Sequence, residues 1–242
     1  MLEALGWGAL AASSLLVGVL LTFARRWPDR QVGIVLAFGA GALISAVSFE
    51  LAGEGIEVGS LGSTAIGLGL GALAYFGLDG VIESRTSRKS RKRERAGASD
   101  AGPALALGAF LDGIPEQLVL GIGIAGGGGI SVSLLVAIYV SNLPEAIGSG
   151  SEMLRGGTGR RRVLGLWVGV AGVCVLATVV GYAIADAASG ELQAAINGFA
   201  AGALLVMLID SMIPEATRDA GRIAGVVTTL GFAVAIALSS VS

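Results

Sequence analysis

The stretch FLDGIPEQLVLG, residues 110–121, sets two carboxylates, Asp112 and Glu116, and a helix-disrupting Pro115 inside a run that is otherwise almost wholly apolar. Their four-residue spacing stacks the two acids on one helical face. Pro115 lacks a backbone donor, so the carbonyl of Leu111, four residues earlier, is released. The chain around this stretch gives it meaning. Hydrophobic residues make up 54% of the 242 positions, charged residues 14%, and mean hydropathy is +0.81. That composition belongs to a protein whose main solvent is lipid, where a charge at a helix centre costs about 2.5–3.5 kcal/mol on insertion scales. The 40 glycines suit helices that pack closely in a bilayer.

A membrane-crossing helix needs about 20 largely apolar residues, and eight segments qualify: 5–24, 31–52, 60–82, 103–124, 130–153, 163–185, 193–214 and 222–241. The expectation is an all-α, polytopic protein forming one transmembrane domain over 1–242. The first span has no basic leader and is followed by Arg25 and Arg26, the pattern of an uncleaved span. Lysine and arginine fall only in alternate loops: three after the first span, seven after the third, four after the fifth and two after the seventh, which accounts for all 16. By the positive-inside rule those loops are cytoplasmic and both termini extracellular.

The basic segment 84–102 reads as a flexible cytoplasmic loop beside anionic headgroups. Its place between two spans argues against a nucleic-acid partner. Trp7, Trp27 and Trp167 lie near span ends, as in an interfacial belt. Cys174 has no second cysteine to pair with and reads as a small core filler. GIGIAG, from Gly121, has dinucleotide-loop spacing, but it follows a membrane helix instead of a strand and reads as packing glycine. The pairs Gly165/Gly169 and Gly198/Gly202 suit intramolecular packing and dimerisation equally.

Two stretches repeat. FGAGALISAVSFELAGEG, from Phe38, aligns with FAAGALLVMLIDSMIPEA, from Phe199, matching Phe38 to Phe199, Gly41 to Gly202 and Glu54 to Glu215. The second and seventh spans run in opposite directions, so this is an inverted repeat, a construction common in secondary transporters with a midplane site. LDGIPEQLVLG and VSNLPEAIGSG, from Leu111 and Val140, share a mid-span Pro-Glu. The eight helices read as three, two and three.

In the second of these, Asn142 and Glu145 share a face by their three-residue spacing, and Pro144 frees the carbonyl of Val140. Asp112, Glu116, Asn142 and Glu145 thus supply oxygen donors around one point. Ser141 and Gln117 are secondary candidates. The chain has no histidine. An oxygen-rich cluster of this kind suits a divalent cation. Glu50, towards the outer end of the second span, and Asp210, towards the inner end of the seventh, are candidate pathway residues.

DGIPE and SNLPE resemble the motifs of the ZIP (Zrt/Irt-like) divalent-metal transporters, whose fourth and fifth helices carry His-Asn-x-Pro-Glu and His-Glu-x-Pro-Glu. By position Asp112 and Ser141 fall on the motif histidines, Gly113 and Asn142 on the second positions, and Glu116 and Glu145 on the glutamates. The resemblance implies a permease that carries divalent metal (zinc, iron, manganese or cadmium) into the cytoplasm by alternating access, with helices two, four, five and seven in the pathway and a homodimeric assembly. Both motif histidines are absent, which shifts the expected cargo towards ions that accept oxygen ligands, among them manganese, iron(II), cadmium and magnesium. The metal is cargo, no cofactor is required, and no ATP-binding motif or enzymatic constellation appears. The expected setting is a bacterial or archaeal cell membrane. Two other readings remain open: a non-transporting metal-sensing or structural homologue, and a proton-coupled carrier of an organic cation.

Overall fold

In the computed structural model the described backbone comprises residues 1–94, 102–125, 131–188 and 190–240, with side chains described for all of these except 82–94 and 102–112. Eight long helices follow one another: α1 (Leu2–Ala24), α2 (Asp29–Val58), α3 (Leu61–Glu94), α4 (Gly102–Ala125), α5 (Val132–Arg155), α6 (Arg160–Asp186), α7 (Gly190–Ala220) and α8 (Ile223–Ser239). No strand occurs among the described residues. Six of these helices contain a described stretch long and apolar enough to cross a bilayer by themselves; Gly113–Ala125 of α4 and the 17-residue α8 are shorter apolar stretches. α3 continues as helix to Glu94, and residues 95–101 of the expected basic loop lie outside the described residues.

Local chemistry sets the boundaries. Asp29 places a negative charge in the first turn of α2, next to the positive end of the helix dipole. Ser131 caps α5 by accepting a 3.1 Å hydrogen bond from the Leu134 amide. Gly157, at φ 85°, lets the chain turn from α5 into α6, and Gly221, at φ 66°, from α7 into α8. Pro115 and Pro144 sit inside uninterrupted helices. In a bilayer the freed carbonyls must find partners within the protein, so neighbouring helices hold such a segment in place.

The helices approach most closely through reciprocal glycines. A Cβ on Gly41 of α2 would lie 1.9 Å from the Thr228 carbonyl oxygen of α8, and one on Gly231 of α8 would lie 2.0 Å from that of Phe38. α3 and α7 meet likewise: a Cβ on Gly71 would come within 1.9 Å of the Phe199 oxygen, and one on Gly202 within 2.0 Å of the Leu68 oxygen. Gly121 and Gly181 perform the same service between α4 and α6. Gly198/Gly202 is therefore an intramolecular packing motif, whereas Gly165 and Gly169 face open space.

Both α2 and α7 widen into π-helix, over Ala46–Gly53 and Leu208–Met212. These segments lie eight and nine residues beyond Phe38 and Phe199, the aligned phenylalanines. Such widenings are rare and recur at functional sites.

The core contains Leu36, Leu43, Leu120, Ile138, Leu204 and Met207, none more than 1% exposed. On the outside, Leu73 and Phe76 of α3 and Val226 of α8 are 67–71% exposed, the apolar surface of a lipid-facing belt. Trp167 departs from the interfacial position expected of it: it is fully buried among Leu15, Val19, Met153 and Cys174. Its helix begins at Arg160, three residues before the span expected from hydropathy, which places Trp167 about two turns inside α6.

Candidate functional site

Three helices converge at Ser141. Its Oγ donates a 2.9 Å hydrogen bond to Oε1 of Glu116, joining α5 to α4. From the other side Gly39 of α2 presses so close that a Cβ there would lie 2.9 Å from the Ser141 Cα. Glu116, Gln117, Ser141 and Asn142 are all at most 1% exposed, so the Pro-Glu stretches of α4 and α5 form a buried polar junction. Thr178 of α6 closes a second edge by donating a 2.6 Å hydrogen bond to Oε1 of Gln117.

Asn142 stands apart within this junction. Among the described residues neither Nδ2 nor Oδ1 of its fully buried amide has a hydrogen-bond partner, and Nε2 of Gln117 is likewise unsatisfied. A buried amide without partners costs about 1–3 kcal/mol. Glu145, three residues further along α5, is partly buried. The side chain of Asp112, the first of the expected donors, lies outside the described residues. No three Asp, Glu, His or Cys side chains gather around a metal-sized point among the described residues. The donors brought together here are mixed in kind, namely one carboxylate, one hydroxyl and two amides.

Chain order hid a further neighbour of the junction and a second buried amide elsewhere in the bundle. The Cys174 thiol fills the space beside Gly113, where a Cβ would come within 3.0 Å of its sulfur. Asn197, at 1% exposure on α7, is a second buried amide whose Nδ2 and Oδ1 have no partner among the described residues. A lone asparagine in an apolar span was the only signal it offered.

The candidate pathway residues lie elsewhere. Glu50 sits in the π-segment of α2 and accepts hydrogen bonds from Ser131, at 2.5 Å, and from Ser133, at the first turn of α5. Asp210 sits in the π-segment of α7 and is exposed. Glu215 lies 3.4 Å from Arg218 at the end of α7.

A bundle of apolar helices around a buried polar junction, whose amides are incompletely satisfied among the described residues, marks an integral membrane protein. Residues 80–239 match the sequence model of the family described as ZIP zinc transporter. A candidate zinc transporter of Arabidopsis thaliana is 30% identical over 216 residues, which are 88% of this chain and 34% of that protein. The chain thus spans about a third of the length of this relative. It belongs to the ZIP zinc transporter family, a family of transporters and not of enzymes.

Proposed function

We propose that the chain forms a single transporter domain, a permease that moves divalent metal cations across the membrane through the junction of α4 and α5. The observation that carries this reading is the Asn142 amide, buried with both polar atoms unsatisfied among the described residues and adjacent to the Ser141 hydroxyl that holds Glu116. A buried carboxylate and an unsatisfied amide oxygen are costly in lipid, and a cation that binds both offsets much of that cost. Glu116 and Asn142, with Asp112 and Glu145 and the Pro-released carbonyls of Leu111 and Val140, are the proposed ligands. Ser141 and Gln117 are proposed to contribute or orient donors. All are oxygen donors, the carboxylates charged and the amide, hydroxyl and backbone oxygens neutral, a set compatible with manganese, iron(II), cadmium and magnesium as well as zinc.

Direction and motion are part of the same proposal. The exclusive placement of basic residues in alternate loops supports cytoplasmic loops at that face and extracellular termini, and uptake into the cytoplasm is proposed from the family resemblance. Matching π-segments in α2 and α7, with the glycine contacts α2–α8 and α7–α3, support a three-two-three inverted repeat. In such a repeat alternating access exposes a midplane site first to one face and then to the other. Glu50 and Asp210, carried on the two widened segments, are the proposed pathway carboxylates. The open glycine face of α6 at Gly165 and Gly169 is available to a second copy in a homodimer.

The test is uptake of manganese, iron(II), zinc, cadmium and magnesium into proteoliposomes by the wild type, Asp112→Ala, Glu116→Gln and Glu145→Ala. At least one ion should accumulate in a manner that the substitutions reduce tenfold or more. Uptake no greater than in protein-free vesicles for every ion overturns the reading in favour of a non-transporting homologue. Uptake of organic amines without metal would overturn it in favour of an organic-cation carrier.

A further inference from the structure

Away from the α4–α5 junction, the C-terminal ends of α1 and α5 meet the N-terminal end of α6 around a cavity of about 280 Å³, walled by Arg25, Arg26, Arg155 and Arg160 together with Thr22 and Ser151. Two of these cations are held by aromatic rings. The Arg25 guanidinium lies 4.1 Å from the centroid of Trp27 and donates to Oε1 of Gln31 at 2.5 Å, and that of Arg160 lies 5.5 Å over Phe23. Such rings orient a guanidinium without neutralising it. Arg155 has an exposed ion pair with Asp29 at 3.5 Å. Among the described residues Arg25, Arg26 and Arg160 face no carboxylate within ion-pair distance.

Helix capping does not account for the cluster. The end of α1 is closed by the Trp27 indole N–H, which donates to the Leu21 carbonyl at 3.1 Å, and none of the four arginines donates to a helix carbonyl among the described residues. Two helix C-termini, each worth about half a negative charge, and Asp29 offset roughly half of the guanidinium charge. The N-terminus of α6 adds positive potential, because Gly159 supplies no side-chain cap to its first amides. What remains is a walled recess with excess positive charge, several guanidinium donors and outward-facing amides.

The geometry points to a binding site for a phosphate group in this recess, supplied either by the headgroup of an anionic phospholipid or by a soluble phosphate. Guanidinium forks match phosphate oxygens bidentately, and basic recesses between membrane helices accept anionic headgroups. The recess lies beyond the membrane-buried junction, so occupancy would tie α1, α5 and α6 together at the basic face.

The full chain in a neutral detergent is titrated with inorganic phosphate, with dihexanoyl phosphatidylglycerol and with dihexanoyl phosphatidylcholine while Tm is followed. The wild type should show a saturable rise with phosphatidylglycerol, with phosphate, or with both, and no equal rise with phosphatidylcholine. A response to the anionic lipid alone assigns the site to a headgroup, and a response to phosphate assigns it to the phosphate group itself. Half-saturation in Arg25→Gln/Arg160→Gln should weaken about 30-fold, since each arginine near an anionic surface is worth about a factor of five. Arg30→Gln/Arg222→Gln, with equal charge loss outside the recess, should respond as the wild type does. Should the double variant lose its monodisperse elution, Arg160→Gln alone, expected to weaken about fivefold, serves in its place. An absent or unsaturable response in the wild type, an equal response to phosphatidylcholine, or an unchanged response in the arginine variant overturns the assignment.

Discussion

Ser141 on α5 donates a 2.9 Å hydrogen bond to Glu116 on α4, a contact made with both residues at most 1% exposed and with Gly39 of α2 packed directly behind the serine. This bond ties the Glu116 carboxylate of α4 to α5 in the interior of the bundle.

Replacing Ser141 by alanine leaves Oε1 of Glu116 without that donor. The metal-free protein should lose about 1–3 kcal/mol of stability. A divalent cation restores a partner, so the rise in Tm on adding manganese or cadmium should be larger in Ser141→Ala than in the wild type. Thermal unfolding with and without metal measures both quantities. An equal or smaller metal-induced rise would show that the hydroxyl and the metal do not share Glu116.

Asn142→Leu separates a structural amide from a functional one. Because neither amide atom has a partner among the described residues, an apolar side chain of similar size should leave stability unchanged or raise it by up to about 1–3 kcal/mol. Transport should fall at least tenfold, because a donor to the cargo has been removed. Denaturation in detergent and proteoliposome uptake on one preparation decide the matter. Loss of stability with transport intact would make Asn142 a packing residue.

Glycine substitutions should divide by where their Cβ falls. Gly41→Val and Gly202→Val place carbon about 2 Å from the Thr228 and Leu68 carbonyl oxygens, so backbones must separate, at a cost of about 1–3 kcal/mol or more. Gly165→Ala and Gly169→Ala meet nothing within 4 Å and should leave the chain's stability unchanged. Monodisperse yield on size-exclusion chromatography separates the groups, and equal yields would contradict the packing described for α2–α8 and α3–α7.

Helix number, most helix limits to within several residues and the Pro-Glu stretches were legible from hydropathy and spacing, the third helix running to Glu94 beyond its expected end at 82. Lipid penalises unsatisfied backbone so heavily that a run of about 20 apolar residues has few alternatives to helix. The same penalty made Glu116 and Asn142 conspicuous before any coordinate was known. Chain order carried no information about which helix faces which. It left Trp167 at an interface when it lies in the core, and left open whether Gly198/Gly202 packs within the chain, which the Leu68 and Thr64 carbonyls decide. The partnership of Ser141 with Glu116, the seating of Cys174 beside Gly113 and the four-arginine recess all join positions tens of residues apart. Periodicity reports which side of one helix is apolar. Neighbours across an interface are set by close packing in three dimensions, where a glycine and a carbonyl oxygen on separate helices settle the register together.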